Sequence, residues 1–414
     1  MKSHLTNLNL ARKLRRVLAV LLVASAVGCS GESRTEEARR NADPEALQLL
    51  VQAADMFESG FYQPALDMLD RAEAMEDQLA DIPFLRARVL SAMRQHEEAR
   101  SAYERTIVLD PEYPGVYMNL GNLEYMRGQP GPALEYYLQE RGEVAETADY
   151  LVQLGRAHAD LGNTDNARVA FERAIQAAPE SPTAYMWRGQ LMEDQGDLAS
   201  AIDDSRQGLA LDPDNLNYAY VLGVQLLRSE DLEGAVEMLE RAAEGMPWHY
   251  AAHYNLGQAL NGLGQREAGA RYLARADTLL MHRQEVDKWE NLLSGNADQP
   301  MLWVNYGTAL TTAGRIDDAI DALTVAYSLS PQWLELQNNI ANLLLMRGDT
   351  LDALDRYRGL LTVDSTLTDI WLNLGTVHAL SGDFDAARNA WETALRLEPQ
   401  HGDALEYLSR LPSE

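Results

Sequence analysis

Glycine recurs at a fixed step of 34 residues, at Gly121, Gly155, Gly189, Gly223 and Gly257. Alanine keeps the same step at Ala65, Ala99, Ala133, Ala167, Ala201 and Ala235, and resumes at Ala319, Ala353 and Ala387. Proline closes most periods, at Pro111, Pro179, Pro213, Pro247, Pro331 and Pro399. Three residue types in phase over most of 414 residues do not describe a single closed globule. No stretch alternates as a β-strand would. The period predicts all-α helix–turn–helix units stacked in a row, each unable to bury its apolar face alone. Such arrays contact partners along an extended face, so recognition rather than chemistry is the expected function.

Each phased residue has a physical role. With the glycine at the eighth position, ten units begin near residues 46, 80, 114, 148, 182, 216, 250, 300, 334 and 368. That glycine and the alanine at position twenty let the two helices of a unit approach, while Phe171, Leu239 and Trp391 fill the space between units. A second glycine ends the first helix at Gly60, Gly128, Gly162, Gly196, Gly264, Gly314, Gly348 and Gly382, where a left-handed residue is wanted. Ala341 and Gly269 depart from the pattern, and the first unit matches it poorly, as a terminal cap does.

Between units seven and eight the step is 50. The additional residues, around Met281 to Asn296, predict an extension of the preceding helix, reaching about 24 Å at about 1.5 Å per residue. Val286, Trp289, Leu292 and Leu293 are expected on one face of it. It is either a spacer that buries Trp289, the simpler reading, or a joint or docking arm. The expected organisation is 46–281 for units one to seven, 282–299 for the insertion, 300–400 for units eight to ten, and 401–414 for a C-terminal cap.

The run Trp371-Leu372-Asn373-Leu374-Gly375, followed by Gly382-Asp383-Phe384, Ala387, Trp391, Ala394 and Pro399, resembles the tetratricopeptide repeat family. The resemblance extends over roughly residues 46 to 400. It implies an α-solenoid with a right-handed superhelix and a concave groove that takes extended peptides or partner helices.

The net charge is −28, although the first 28 residues hold five basic residues and no acidic ones. Such a surface repels phosphate backbones, which argues against nucleic acid and favours basic or neutral protein partners. The one cysteine, Cys29, excludes an intrachain disulfide or a cysteine zinc cluster. It follows a basic segment, an apolar run from Val17 to Val27 too short to span a bilayer, and the small residues Ala24 to Gly28. This end resembles the lipobox of bacterial lipoproteins. The resemblance implies that residues 1–28 are a signal peptide and that Cys29 is acylated and anchors the chain to a membrane. Ser30, where aspartate would retain the protein in the inner membrane, implies the outer membrane, facing the periplasm. Ordinary signal cleavage leaving a free thiol is the alternative. Residues 29–45 are expected to be a polar tether.

No nucleotide-binding, zinc-protease, hydrolase or redox motif occurs, and no cofactor or metal is expected. His249 and His253 have ligand spacing but no third partner. Asparagine recurs at the sixth position, at Asn119, Asn255, Asn305, Asn339 and Asn373. This resembles the asparagine ladder that holds peptide main chains in O-GlcNAc transferases, and implies a peptide-binding groove. A carboxamide both donates and accepts, so it pairs with any backbone; the alternative is that these residues bond neighbouring helices. Trp187, Tyr220 and Tyr254 lie at or beside the same position and are candidate groove residues or core. The expected function is a non-catalytic scaffold of the cell envelope. An assembly lipoprotein for secretion, pili or polysaccharide export, a carbohydrate-active enzyme and a self-associating subunit are the alternatives.

Overall fold

The computed structural model describes residues 34–411. Among the described residues it contains 22 α-helices, one 3-10 turn and no strand. A short helix, α1 (Arg34–Asn41), leads the array. Six helix pairs follow: α2 and α3 (Pro44–Glu58, Tyr62–Met75), α4 and α5 (Asp81–Ala92, His96–Leu109), α6 and α7 (Val116–Met126, Pro130–Tyr137), α8 and α9 (Ala148–Asp160, Thr164–Ala177), α10 and α11 (Pro182–Asp194, Leu198–Leu211), and α12 and α13 (Leu216–Arg228, Leu232–Gly245). The seventh pair is α14 (Tyr250–Gly262) and the long α15 (Arg266–Leu293). Three more are α16 and α17 (Pro300–Ala313, Ile316–Leu329), α18 and α19 (Leu334–Arg347, Thr350–Val363), and α20 and α21 (Thr368–Leu380, Phe384–Leu397), before the terminal α22 (Gly402–Arg410). The chain divides into two compact units, Met1–Leu280 and Met281–Glu414. Within each, the helices of a pair pack together and each pair packs on the next, an α-solenoid.

The turns explain the second glycine column. All eight of those glycines have positive φ, between 73° and 99°. After each, the chain's next amide reaches back to the carbonyl five residues earlier, as from Asn163 to His158 (2.8 Å) and from Asp383 to His378 (2.9 Å), which closes the helix end. Two turns keep this geometry without glycine. Arg94 (φ 55°) and Glu230 (φ 66°) occupy the equivalent places, and Asp231 still bonds to Leu226 at 3.0 Å. A side chain in the left-handed region costs roughly 1–2 kcal/mol, and the greater freedom of unfolded glycine offsets about 0.5–1 of that. Glu230→Gly is therefore expected to stabilise the first unit by about 0.5–1 kcal/mol. Slower amide exchange in α12 and α13 is the readout; faster exchange would show that the Glu230 side chain contributes more than its strain costs.

Most eighth-position glycines face the side chain sixteen residues on in their own unit, whereas a Cβ on Gly189 would meet the Ala201 carbonyl and the Asp204 side chain at 3.1 and 3.2 Å. A Cβ on Gly121 would sit 2.3 Å from the Tyr137 ring, on Gly155 2.5 Å from Phe171, and on Gly375 2.3 Å from Trp391. These three aromatic side chains are buried. The close approach is thus between a helix backbone and an aromatic ring, and the residue sixteen places after the glycine sets how tight it is.

Three local features differ from the sequence expectations. Residues 34–41, read as part of a tether, are helical; Arg39 bonds Asp81 of α4 through Nε (3.0 Å) and Nη2 (2.5 Å). An ion pair, not an apolar face, holds α1, so hydropathy patterning did not reveal it. In the third pair, α7 ends at Tyr137, and the buried Glu140 beyond it accepts the amides of Gly115 (3.1 Å) and Met118 (2.8 Å) at the start of α6. In α15, a single helix of 28 residues, Leu279, Val286 and Leu293 are buried at seven-residue spacing, whereas Leu292 is 43% exposed. At 100° per residue Leu292 lies about 120° around the helix from Val286, off the buried stripe.

Candidate functional site

In the second unit the C-terminal half of α15 and the first repeat helix, α16, enclose a cleft of about 360 Å³. Met281, His282, Glu285 and Trp289 form one wall, and Asn305, Thr308, Ala309 and Thr312 the other. Its volume falls in the roughly 300–1,000 Å³ range of ligand clefts. Trp289 is fixed in place, its indole N–H donating to Glu285 Oε1 at 2.7 Å while Lys288 Nζ stands 4.6 Å from the ring centroid. Lys288 also donates to that carboxylate oxygen at 2.8 Å, and these two bonds hold Glu285 below the usual carboxylate range. Met281 is 62% exposed. The opposite wall carries the half-buried Asn305 carboxamide, which makes no hydrogen bond among the described residues. The hydroxyls of Thr308 and Thr312 donate to carbonyls of their own helix, leaving their oxygens able to accept. The cleft therefore offers an apolar and aromatic surface facing a free donor and acceptor.

The other asparagines of the column separate into distinct environments. Asn339 is exposed and unbonded among the described residues. Asn373 donates to Asn338 Oδ1 (3.0 Å) and Asn342 Oδ1 (3.2 Å), and Tyr357 donates its hydroxyl to the same Asn342 oxygen at 2.5 Å. Asn373 thus ties α18 to α20. In the first unit Asn119 folds back to the Gly115 carbonyl at 2.7 Å. Asn255 makes only a long contact to the Tyr220 hydroxyl, 3.4 Å, at the edge of hydrogen-bond geometry. Asn305 and Asn339 are the members whose carboxamides are open to a ligand.

The aromatic candidates also separate. Tyr254 is 47% exposed. Tyr220 is half-buried, with the His249 ring edge-on at 4.5 Å. Trp187 is half-buried, packs on the apolar cores of the third to fifth pairs, and carries Arg156 over its face, the guanidinium carbon 4.3 Å from the ring centroid. The same guanidinium carbon lies 4.6 Å from the Tyr125 ring centroid. The histidine pair serves the backbone: His249 Nδ1 accepts the Ala252 amide (3.1 Å), and His253 Nε2 lies 3.3 Å from the Pro247 carbonyl.

Arg156, Tyr125, Asn338 and Asn342 do not emerge from the column of 34. Side chains on adjacent first helices meet at other separations. Tyr125 to Arg156, Arg156 to Trp187 and Asn342 to Asn373 are each 31 apart. Tyr125 to Asp160, Tyr220 to Asn255 and Asn338 to Asn373 are each 35 apart. These pairs fall at one repeat less about a helical turn or at one repeat plus a residue, and Gln225 reaches Glu193 at a separation of 32.

Residues 84–146 and 152–215 match a tetratricopeptide repeat family model, and residues 368–401 match another of the same description. These segments are tetratricopeptide repeats, in agreement with their paired helices and phased glycines. Two curated relatives extend over more of the chain. The cellulose synthase operon protein C of Pseudomonas fluorescens is 22% identical across 88% of this chain and 35% of its own length. The peroxisomal targeting signal receptor of Saccharomyces cerevisiae is 22% identical across 59% of this chain and 44% of its own. The chain spans less than half the length of either. Among solved structures, YrrB, described as a TPR protein with an unusual peptide-binding site, aligns with a TM-score of 0.36 and 22% identity over 44% of this chain and 95% of that one. PilW, a type IV pilus biogenesis factor, aligns with a TM-score of 0.48 and 14% identity over 53% and 100%.

Among the described residues no group of three or more His, Cys, Asp or Glu side chains is placed to hold a metal ion. No described helix is long and apolar enough to cross a membrane. Cys29 and the signal-like segment lie outside the described residues.

Proposed function

We propose that this chain is a non-catalytic binding scaffold of a bacterial cell envelope, anchored through Cys29, which takes an extended segment of a partner protein along its first-helix face. The observation that carries the reading is the cleft of the second unit. There, a sixth-position asparagine with a free carboxamide faces Trp289 and Met281 of the inserted helix segment. An extended segment fits this chemistry: one apolar side chain lies on Trp289 and the main chain bonds Asn305. A second reading, an assembly lipoprotein for exported polysaccharide, is favoured by the 88% of this chain that aligns with the cellulose synthase operon protein C.

Replacing Asn305 and Asn339 together with alanine is expected to weaken an extended ligand roughly tenfold, since each neutral hydrogen bond contributes about 0.5–1.5 kcal/mol. Helicity and melting should not change, because neither side chain bonds the fold. Asn373→Ala should do the reverse, lowering stability through the lost ties to Asn338 and Asn342. Titration of the variants with a peptide selected on the wild type separates the two; unchanged affinity in the Asn305/Asn339 variant contradicts the cleft assignment.

The anchor has its own test. Cys29→Ser is expected to release the protein from membranes washed in high salt, or to leave it uncleaved, because it removes the thiol that would carry the lipid, whereas a terminus with more than one acyl chain resists that wash. A processed serine variant that remains on washed membranes would rule out a lipid anchor at this position.

A further inference from the structure

Arg156 is an anomaly in a chain with 63 acidic and 35 basic residues. Other arginines of the first helices have carboxylate partners: Arg86 with Asp70 and Glu73, Arg127 with Glu97, and Arg188 with Asp204. Among the described residues no carboxylate pairs with Arg156. Asp160, one turn further along the same helix, is taken instead by the Tyr125 hydroxyl, which donates to it at 2.5 Å. The Arg156 guanidinium lies against both the Tyr125 and Trp187 rings, 4.6 and 4.3 Å from their centroids. Aromatic faces attract the cation and fix its plane, but its N–H groups point outward in that plane and still require acceptors.

Only one of those needs is met. Nη1 donates to Gln153 Oε1 at 2.8 Å. The buried Nε has no partner; the Tyr125 hydroxyl stands beside the guanidinium, but Nη2 makes no well-aligned hydrogen bond among the described residues. With Nε buried, the group left for an outside acceptor is Nη2; elsewhere in this chain an arginine head takes an acid, Arg188 holding both oxygens of Asp204 at 2.8 and 2.7 Å. A carboxylate matches Nη2 in charge and as an acceptor.

We propose that Arg156, held against the Tyr125 and Trp187 rings, receives a carboxylate from an extended partner segment lying on the first unit. The proposal rests on the scaffold reading above and deepens it. Most of the surface is acidic and favours neutral or basic partners, so a single cationic receptor fixes register: the segment must present one acid opposite Arg156.

The test is selection of random linear peptides displayed on phage, with full-length protein as bait and the Arg156→Gln variant as counter-selection. Arg156→Gln loses the ring contacts and the Gln153 bond but also an unsatisfied buried donor, so its melting should stay close to that of the wild type. Peptides that distinguish the two baits are expected to share an Asp or Glu at one register position. Changing that residue to its amide should weaken binding to the wild type roughly tenfold or more, and leave binding to Arg156→Gln unchanged. Arg156→Lys should bind with intermediate affinity, because it keeps the charge but not the planar edge. If amidation of the peptide C-terminus has this effect instead, the same receptor takes a terminal carboxylate. Distinguishing peptides without an acid, or a selection that returns Asn305-dependent binders but none that depends on Arg156, would overturn the assignment while leaving the scaffold reading standing. A library that yields no binder dependent on either site contradicts both.

Discussion

Asp81→Ala is expected to destabilise the start of the array by about 3 kcal/mol, the lower end of the cost of breaking a buried ion pair. Asp81 is 3% exposed and accepts three bonds: two from Arg39 of α1, and one from the Tyr113 hydroxyl at 2.9 Å. Burial pushes the Tyr113 phenol well above its ordinary range, and the Asp81 charge adds to the shift. Without the carboxylate, Tyr113 keeps a buried hydroxyl with no acceptor from that side, and Arg39 loses its counter-charge. The lower end applies because the Arg39 side chain keeps 23% of its exposure and can partly rehydrate. Asp81→Asn should cost less, since one acceptor oxygen remains. Because neighbouring repeats unfold with limited coupling, the effect belongs in local measurements. Amide exchange should accelerate in Arg34–Asn41 and in α4 and change little in α12 and α13. Uniform acceleration throughout the first unit would mean that Asp81 supports the global fold and not the leading helix.

The second large effect is expected at the other end, in Trp391. This side chain is 4% exposed, donates its indole N–H to the Leu372 carbonyl at 3.0 Å, and lies against the bare backbone of Gly375. Trp391→Ala should cost about 3–5 kcal/mol through lost burial and an unfilled cavity. Gly375→Ala should cost about 1–3 kcal/mol, because the new methyl would sit 2.3 Å from the ring and the pair of helices would have to part. The two are not additive. With the ring gone the methyl has room, so the double variant should be no less stable than Trp391→Ala alone. Urea unfolding followed by circular dichroism measures this cycle; a fully additive double variant would show that Gly375 is constrained by something other than Trp391.

Much of this architecture was legible because the phased residues act locally or on their nearest neighbour. A turn glycine needs only its own φ, and the glycine at position eight answers in most units to the one side chain sixteen residues later. Both therefore recur in register, and both helix ends and helix pairs follow from them. The polar chemistry is different. Whether an asparagine is available depends on what stands beside it on the next helix. Asn305 and Asn373 occupy the same position, yet one faces a cleft while the other is tied to Asn338 and Asn342. Arg156 escaped notice because its partners lie on a diagonal of 31 residues rather than in a column of 34. The helix Arg34–Asn41 escaped because the Arg39–Asp81 ion pair that attaches it leaves no apolar pattern in the sequence.

The central claim is that partners are held on the first-helix face at the cleft of the second unit. It is tested most directly by placing a photoreactive residue at Thr308, which is exposed on the cleft wall, and at Asn389, which is exposed on the second helix of the last pair, in cells that make the protein naturally. The expected result is an adduct from position 308 that maps to one short segment of a partner and disappears when Asn305 and Trp289 are replaced by alanine, with no such adduct from position 389. Adducts of equal yield from both positions, or an adduct at 308 indifferent to the loss of Asn305 and Trp289, would contradict it.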